Sequence, residues 1–392
     1  MKHLIYRTAV VFAINAIAVC PPAAAQMSIV DLGTLPGGNY SAALDINDHG
    51  QVVGVSNNAS GEYRAFQWDR GQMMELPLLP GAAQGAAIKI NNRGQIIGTS
   101  DSPSGFHHAV LWENGIVTDL GMLPDFGPIN PTSVNEHLQV VGETELAATG
   151  SSHAFVWQDG VMIDLGTGAA LRNNARGQVT GQLYQHHLGQ MHAFRWEPGR
   201  GMTDLGTLGG PHSYGFAINN RGSIVGESFL ASGNRHGFVW ENGSMRDLGT
   251  LPAGNYSRAA DINDRGQVVG YSMTADGSFH AFFWEEGTIV DVGTLPTGRF
   301  SDAFEINGRG QVVGVSGTAG GPHIFLWERG SMTDLGVLPG APTADFYSVP
   351  ALNERGQVAG QSPTASGEYH AVLWTDLRRY HRVHGGDGSG SR

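Results

Sequence analysis

Short runs of alternating apolar and polar residues recur along almost the whole chain, separated by turns rich in Gly and Asn. Arg258–Ile262, Gln267–Ser272, His280–Trp284 and Thr288–Val292 are four such runs within one unit of about 44 residues. Val, Phe, Trp and Ile dominate them, as in half-buried β-strands. No stretch places apolar residues at helical spacing. The pattern therefore predicts four short strands, here called a, b, c and d, and no helix.

The unit returns eight times, which decides the architecture before any single residue does. Gly-Gln-Val-Val-Gly and its variants end at Gly54, Gly98, Gly142, Gly181, Gly226, Gly270, Gly314 and Gly360. His-Ala-Phe-x-Trp segments end at Trp68, Trp112, Trp157, Trp196, Trp240, Trp284, Trp327 and Trp374, which are all eight tryptophans. Asp-Leu-Gly-Thr-Leu segments start at Asp31, Glu75, Asp119, Asp164, Asp204, Asp247, Asp291 and Asp334. An asparagine opens a tight turn seven residues before each motif glycine, as Asn263 does before Gly270.

On these motifs the chain resembles the extracellular repeat family named HAF after its His-Ala-Phe segment. Repeat 1 departs from it, with Arg64-Ala65-Phe66. The resemblance covers nearly all of the chain after residue 25. It implies an exported repeat protein and carries no particular activity.

Four antiparallel strands per unit predict the blade of a β-propeller. The chain enters on a d segment, Ile29–Leu32, before any a, b or c, and its last unit ends on c at Trp374. The first d strand is therefore expected to complete the last blade, closing an all-β, eight-bladed propeller and removing its free edges. An open or stacked β array is the alternative. The a–b and c–d turns are short and nearly constant, whereas the d–a connections vary. Binding sites favour variable loops on a rigid frame, so the face of the d–a and b–c loops is the expected working face.

Composition adds three points. Residues 1–25 read as a secretory signal, with Lys2 and Arg7, an apolar run from Thr8 to Cys20, and Ala23-Ala24-Ala25 before a cut at Gln26. Cys20 is the only cysteine; lipid attachment there is the sharper reading, but Val19 stands where a small residue is needed. Residues 26–376 then form the propeller, and 377–392 a basic, Gly- and Ser-rich tail expected to be disordered. The formal charge of −12 becomes −14 once Lys2 and Arg7 are removed. That excess argues against nucleic acid as a partner, and no further segment is apolar enough to span a membrane.

The chemistry-bearing residues divide into those that repeat and those that do not. Ser272, His280 and Asp291 suggest nucleophile, base and orienter. Yet the set recurs in most repeats, and repeat 1 keeps a basic–acidic pair as Arg64 and Glu75, which points to structure. The Asn-x-x-Gly turns faintly resemble a calcium loop, without its ligand pattern. Tyr184, His186, His187 and His192 could ligate a metal, though no carboxylate is placed by spacing. No cofactor is expected. Seven residues before the turn asparagines stand Tyr40, Gln84, Pro128, His212, Tyr256, Phe300 and Phe346. In a closed ring His212, Tyr256, Phe300, Phe346 and Tyr40 are neighbours at the start of strand a, where aromatic rings can stack on sugars or hold a peptide. Two residues before the same asparagines, Asp45, Lys89, Asp261 and Glu305 are expected to line the central channel. The expected function is binding of an extracellular polysaccharide or a protein partner. A carbohydrate-active enzyme using Asp261 and Glu305, and a passive structural array, are the alternatives; a glycosidase needs its carboxylates at a defined separation that spacing cannot supply.

Overall fold

The computed structural model describes residues 27–102, 107–342 and 349–376. The signal segment with Cys20, Phe346 and the tail from 377 lie outside the described residues. All regular elements are strands, paired antiparallel into six four-stranded sheets and one seven-stranded sheet among the described residues. Repeat 6 is typical: Ser257–Ile262, Val268–Met273, Phe279–Glu285 and Thr288–Gly293 stand side by side in chain order. Repeats 3 and 4 share one long strand, Val161–Asn173, because the connection between them is the shortest. That continuity makes the seven-stranded sheet. Met27–Gly33 pairs with Tyr369–Asp376, so the first described strand lies in the same sheet as the last. No helix of the described residues is long and apolar enough to cross a membrane.

Each motif residue has a local reason. The c–d turns Asn114-Gly115, Asn242-Gly243 and Glu286-Gly287 have positive φ at both positions, the geometry whose twist suits a two-residue hairpin. The motif glycine lets strand a approach strand b: a Cβ on Gly270 would lie 1.9 Å from the carbonyl oxygen of Arg258. The core sits between sheets rather than within one. Phe325 and Trp327 of repeat 7 pack on Val269 and Ala281 of repeat 6, and Phe66 and Trp68 of repeat 1 on Ala371 and Leu373 of repeat 8. The alanine of His-Ala-Phe is thus the small, buried seat for a neighbour's aromatic ring.

Polar staples run alongside that core. Ser272 is fully buried; its Oγ accepts from Leu251 N (2.9 Å) and donates to Tyr256 O (3.0 Å), tying the d–a connection to strand b. At the other end of the strands the turn asparagines form a chain of hydrogen bonds. Asn47 Nδ2 donates to Asn91 O, Asn91 to Asn135 O, Asn135 to Asn174 O, and Asn174 to Asn219 O, at 2.9–3.1 Å. Asn219, Asn263 and Asn307 continue it to Asn353, whose Nδ2 donates to Asn47 O at 2.9 Å. A parallel row lies one residue on, where Asp48 N donates to Asn92 Oδ1 and Glu354 N to Asp48 Oδ1. It is interrupted where the next residue, Ala175 or Gly308, has no side-chain acceptor.

Candidate functional site

Strand a of repeat 6 starts just after Tyr256, and strand a of repeat 7 just after Phe300. Both rings therefore lie at the d–a and b–c end of the strands, and they line one cavity of about 600 Å3. Tyr271, Phe279, Phe304, Val315, Pro322, Val349, Ser301 and Asp302 complete its walls. Tyr256 and Tyr271 stack with centroids 5.8 Å apart, and Phe279 meets both edge-on at 5.7 and 5.5 Å. Phe300 keeps 44% of its surface exposed. The walls are thus preformed and largely apolar, as binding pockets usually are.

Two polar groups set the electrostatics. Tyr256 donates to Glu227 Oε2 at 2.9 Å, and Arg235 lies 3.5 Å from Oε1 of the same carboxylate. Burial, the Tyr271 hydroxyl and Glu227 together push the Tyr256 phenol far above its ordinary range, so this ring stays neutral and fixed. Asp302 lines the pocket with its Oδ1 enclosed and without a hydrogen-bond partner. Burial raises its carboxyl to about 7, opposed by the positive charge of Arg258.

The other predicted residues lie elsewhere. Tyr40 meets Tyr63 edge-on at 5.7 Å; His212 meets Phe229 edge-on at 5.4 Å and accepts from Met191 N at 3.1 Å. Phe346 is outside the described residues. Asp45, Asp261 and Glu305 gather at the turn-asparagine end of strand a, lining a cavity of about 250 Å3. Tyr256 and Asp261 flank opposite ends of a strand of six residues, so the aromatic and acidic candidates form two places, not one. Each acid is also engaged by the neighbouring strand a: Ile90 N donates to Asp45, Ile306 N to Asp261 and Leu352 N to Glu305, at 2.8, 3.0 and 2.8 Å. Lys89 lies 3.3 Å from Asp45.

Burial, and then the Glu305 charge, raise Asp261 to about 7, against the pull of Arg172 and two backbone N–H groups. The neutral acid is favoured in the fold relative to the unfolded chain. Its stabilisation is full below about pH 4 and is lost as pH rises through about 7. Asp261→Asn keeps an acceptor for Ile306 N and does not titrate. The variant is expected to melt with wild type near pH 4 and about 2 °C above it at pH 8, a gain discounted for water in the cavity. Thermal melts across that range check it; a gap that closes with rising pH would reverse the sign.

The Ser–His–Asp sets are structural. His280 Nδ1 lies 3.0 Å from Asp291, and His108, His153, His192, His236, His323 and His370 make the same pair at 2.7–3.1 Å. Repeat 1 substitutes Arg64 and Glu75 at 3.5 Å. A bulge places Phe282, not His280, across from Asp291, and the side chains reach over it. Asp291 Oδ1 also accepts from Gly293 N at 2.7 Å, which explains the Asp-x-Gly spacing. The serine hydroxyls are bound to backbone and poised for no nucleophilic step. Tyr184 and His186 stack edge-on at 5.0 Å. Among the described residues no three His, Cys, Asp or Glu side chains are grouped to hold a metal ion.

Tyr271, Phe279 and Asp302 were not among the residues singled out from sequence. For Tyr271 and Asp302 the signal was departure from the repeat: Tyr271 is the one aromatic directly after a motif glycine, where the other repeats have Val, Thr, Glu or Gln, whereas Phe279 has aromatic counterparts in Tyr63 and Tyr369.

The chain matches no protein-family model and no curated protein. It is similar to solved structures. Dipeptidyl peptidase 4 of Porphyromonas gingivalis matches with a TM-score of 0.54 and 9% identity, over 88% of this chain and 58% of that one. A puromycin-hydrolysing peptidase of Mycobacterium tuberculosis matches at 0.50 and 12%, over 83% and 58%. The β-propeller domain of the Trilobed protease from Pyrococcus furiosus matches at 0.49 and 11%, over 76% and 96%. The chain thus spans less than two thirds of the first two. At such identities the likeness to the first two shows the fold alone, one built here of four-stranded antiparallel sheets.

Proposed function

We propose that this chain is an exported β-propeller of eight blades, closed by Met27–Gly33 as the outer strand of the last blade, and that it binds extracellular polysaccharide. Export is supported by residues 1–25 and by the HAF resemblance. Eight motif copies, the pairing of Met27–Gly33 with Tyr369–Asp376 and the return of the asparagine chain from Asn353 to Asn47 support eight blades in a ring. The observation that carries binding is the aromatic pocket at Tyr256 and Phe300, on the face of the variable connections. Flat apolar rings there can cover the C–H faces of sugars while the scaffold stays rigid.

A glycan array probed with the purified protein tests this. A polysaccharide hit is expected, weakened about tenfold by Phe300→Ala, whose exposed side chain leaves thermal melting nearly unchanged. A hit indifferent to Phe300 places the site elsewhere. No hit on any glycan overturns the reading in favour of a protein partner.

A further inference from the structure

The pocket has an acid on its wall and no basic residue. Asp302 has no acidic counterpart in the other described repeats: Ala42, Ala86, Asn130, Ala169, Tyr214 and Arg258 hold its place in strand a. Its Oδ1 is enclosed and unpartnered. Arg258, whose charge opposes that burial, forms no ion pair with it; its guanidinium lies over the Phe216 ring at 4.1 Å, and its Nε is likewise enclosed and unpartnered. An enclosed acceptor without a partner is costly and uncommon, and it calls for an explanation. Around it stand aromatic faces, whose negative π-surface attracts cations. Both features select the same kind of group, one that is positively charged, donates hydrogen bonds and is carried on a flat apolar frame.

We infer that the pocket takes an amino sugar with a free ammonium group, the ring against the aromatic walls and the ammonium on Asp302. This rests on the polysaccharide reading and narrows it. An N-acetylated sugar brings no charge to the enclosed carboxylate, and an acidic sugar sets like charge against it.

The test is isothermal titration of the purified protein with a glucosamine oligomer and with the N-acetylated oligomer of the same length, near pH 7, where the raised Asp302 carboxyl is ionised in part and an ammonium can hold it so. The free-amine oligomer is expected to bind at least about tenfold more tightly. This comparison needs no variant, so folding of a mutant does not decide it. Asp302→Asn is expected to bring the two affinities together. Phe300→Ala is expected to weaken the free-amine oligomer at unchanged net charge. Equal affinities in wild type overturn the amine while leaving a neutral-sugar pocket standing. Tight binding untouched by Phe300→Ala overturns it too, since an acidic protein attracts polycations without a pocket. If neither oligomer binds, the inference fails, and the neutral and acidic glycans of the array judge the polysaccharide reading separately.

Discussion

Deleting Met27–Gly33 is expected to lower the melting midpoint by about 10 °C or more and to drive the protein into aggregates. The strand touches two interfaces at once. Met27 and Ile29 pack on the core between repeats 7 and 8, while Val30 and Leu32 pack on that between repeats 8 and 1. Full burial of one such side chain contributes about 1.5–3 kcal/mol. Asp31 also accepts from His370 at 2.9 Å. Loss of the strand removes all of this and bares the whole edge of Tyr369–Asp376. Differential scanning calorimetry and size-exclusion chromatography read the two effects. A synthetic peptide of residues 27–33 added in trans is expected to restore part of the midpoint, by adding a strand to that edge. A truncated protein that melts with wild type and stays monodisperse would mean the strand is a decoration.

The second large effect is expected from one atom pair. In Asn263→Asp the side chain keeps its two accepted bonds, from Arg265 N and Gln267 N, both at 3.0–3.1 Å. It loses both donated ones, to Asn307 O at 3.0 Å and Gln267 Oε1 at 2.7 Å. A carboxylate oxygen then faces two acceptors at a buried position. Breaking two bonds and burying an unpaired charge is expected to cost about 3 kcal/mol or more in urea unfolding. Asp264→Asn, one residue away and exposed, is the control. It can still accept from Asn220, and its cost is expected to stay below about 1 kcal/mol. Equal costs for the two variants would show that the asparagine chain contributes nothing beyond an ordinary turn.

These asparagines also mark where sequence reading ends. Asn-x-x-Gly announces a turn because its bonds to residues two and four places on are local. The bond to the next asparagine's carbonyl spans 39–46 residues, and 306 from Asn353 to Asn47, and nothing in a single unit reveals it. The same distinction explains the rest. Strand bounds in repeat 6 were legible to within about a residue, since alternation and turn residues act locally. The pairing of His280 with Asp291 was legible, but not the bulge between them. The placing of Asp45, Asp261 and Glu305 beside the turn asparagines was legible, whereas their use as clips to the next strand's N–H depends on how neighbouring sheets meet. Tyr256 and Phe300 were found by their register against the turn asparagine. Tyr271, Phe279 and Asp302 join them only through lateral packing of strands from two repeats.

The pairing of Met27–Gly33 with Tyr369–Asp376 has a mechanical side. The strands run antiparallel with Met27 opposite Asp376, so both outer ends leave the sheet at the same rung. Tension pulling those two ends apart loads that rung alone, then the next, and the pair opens like a zip. Force that separates neighbouring sheets instead loads the inter-sheet cores and the asparagine bonds together. Held by these two ends, the protein is therefore expected to yield first at this pair of strands.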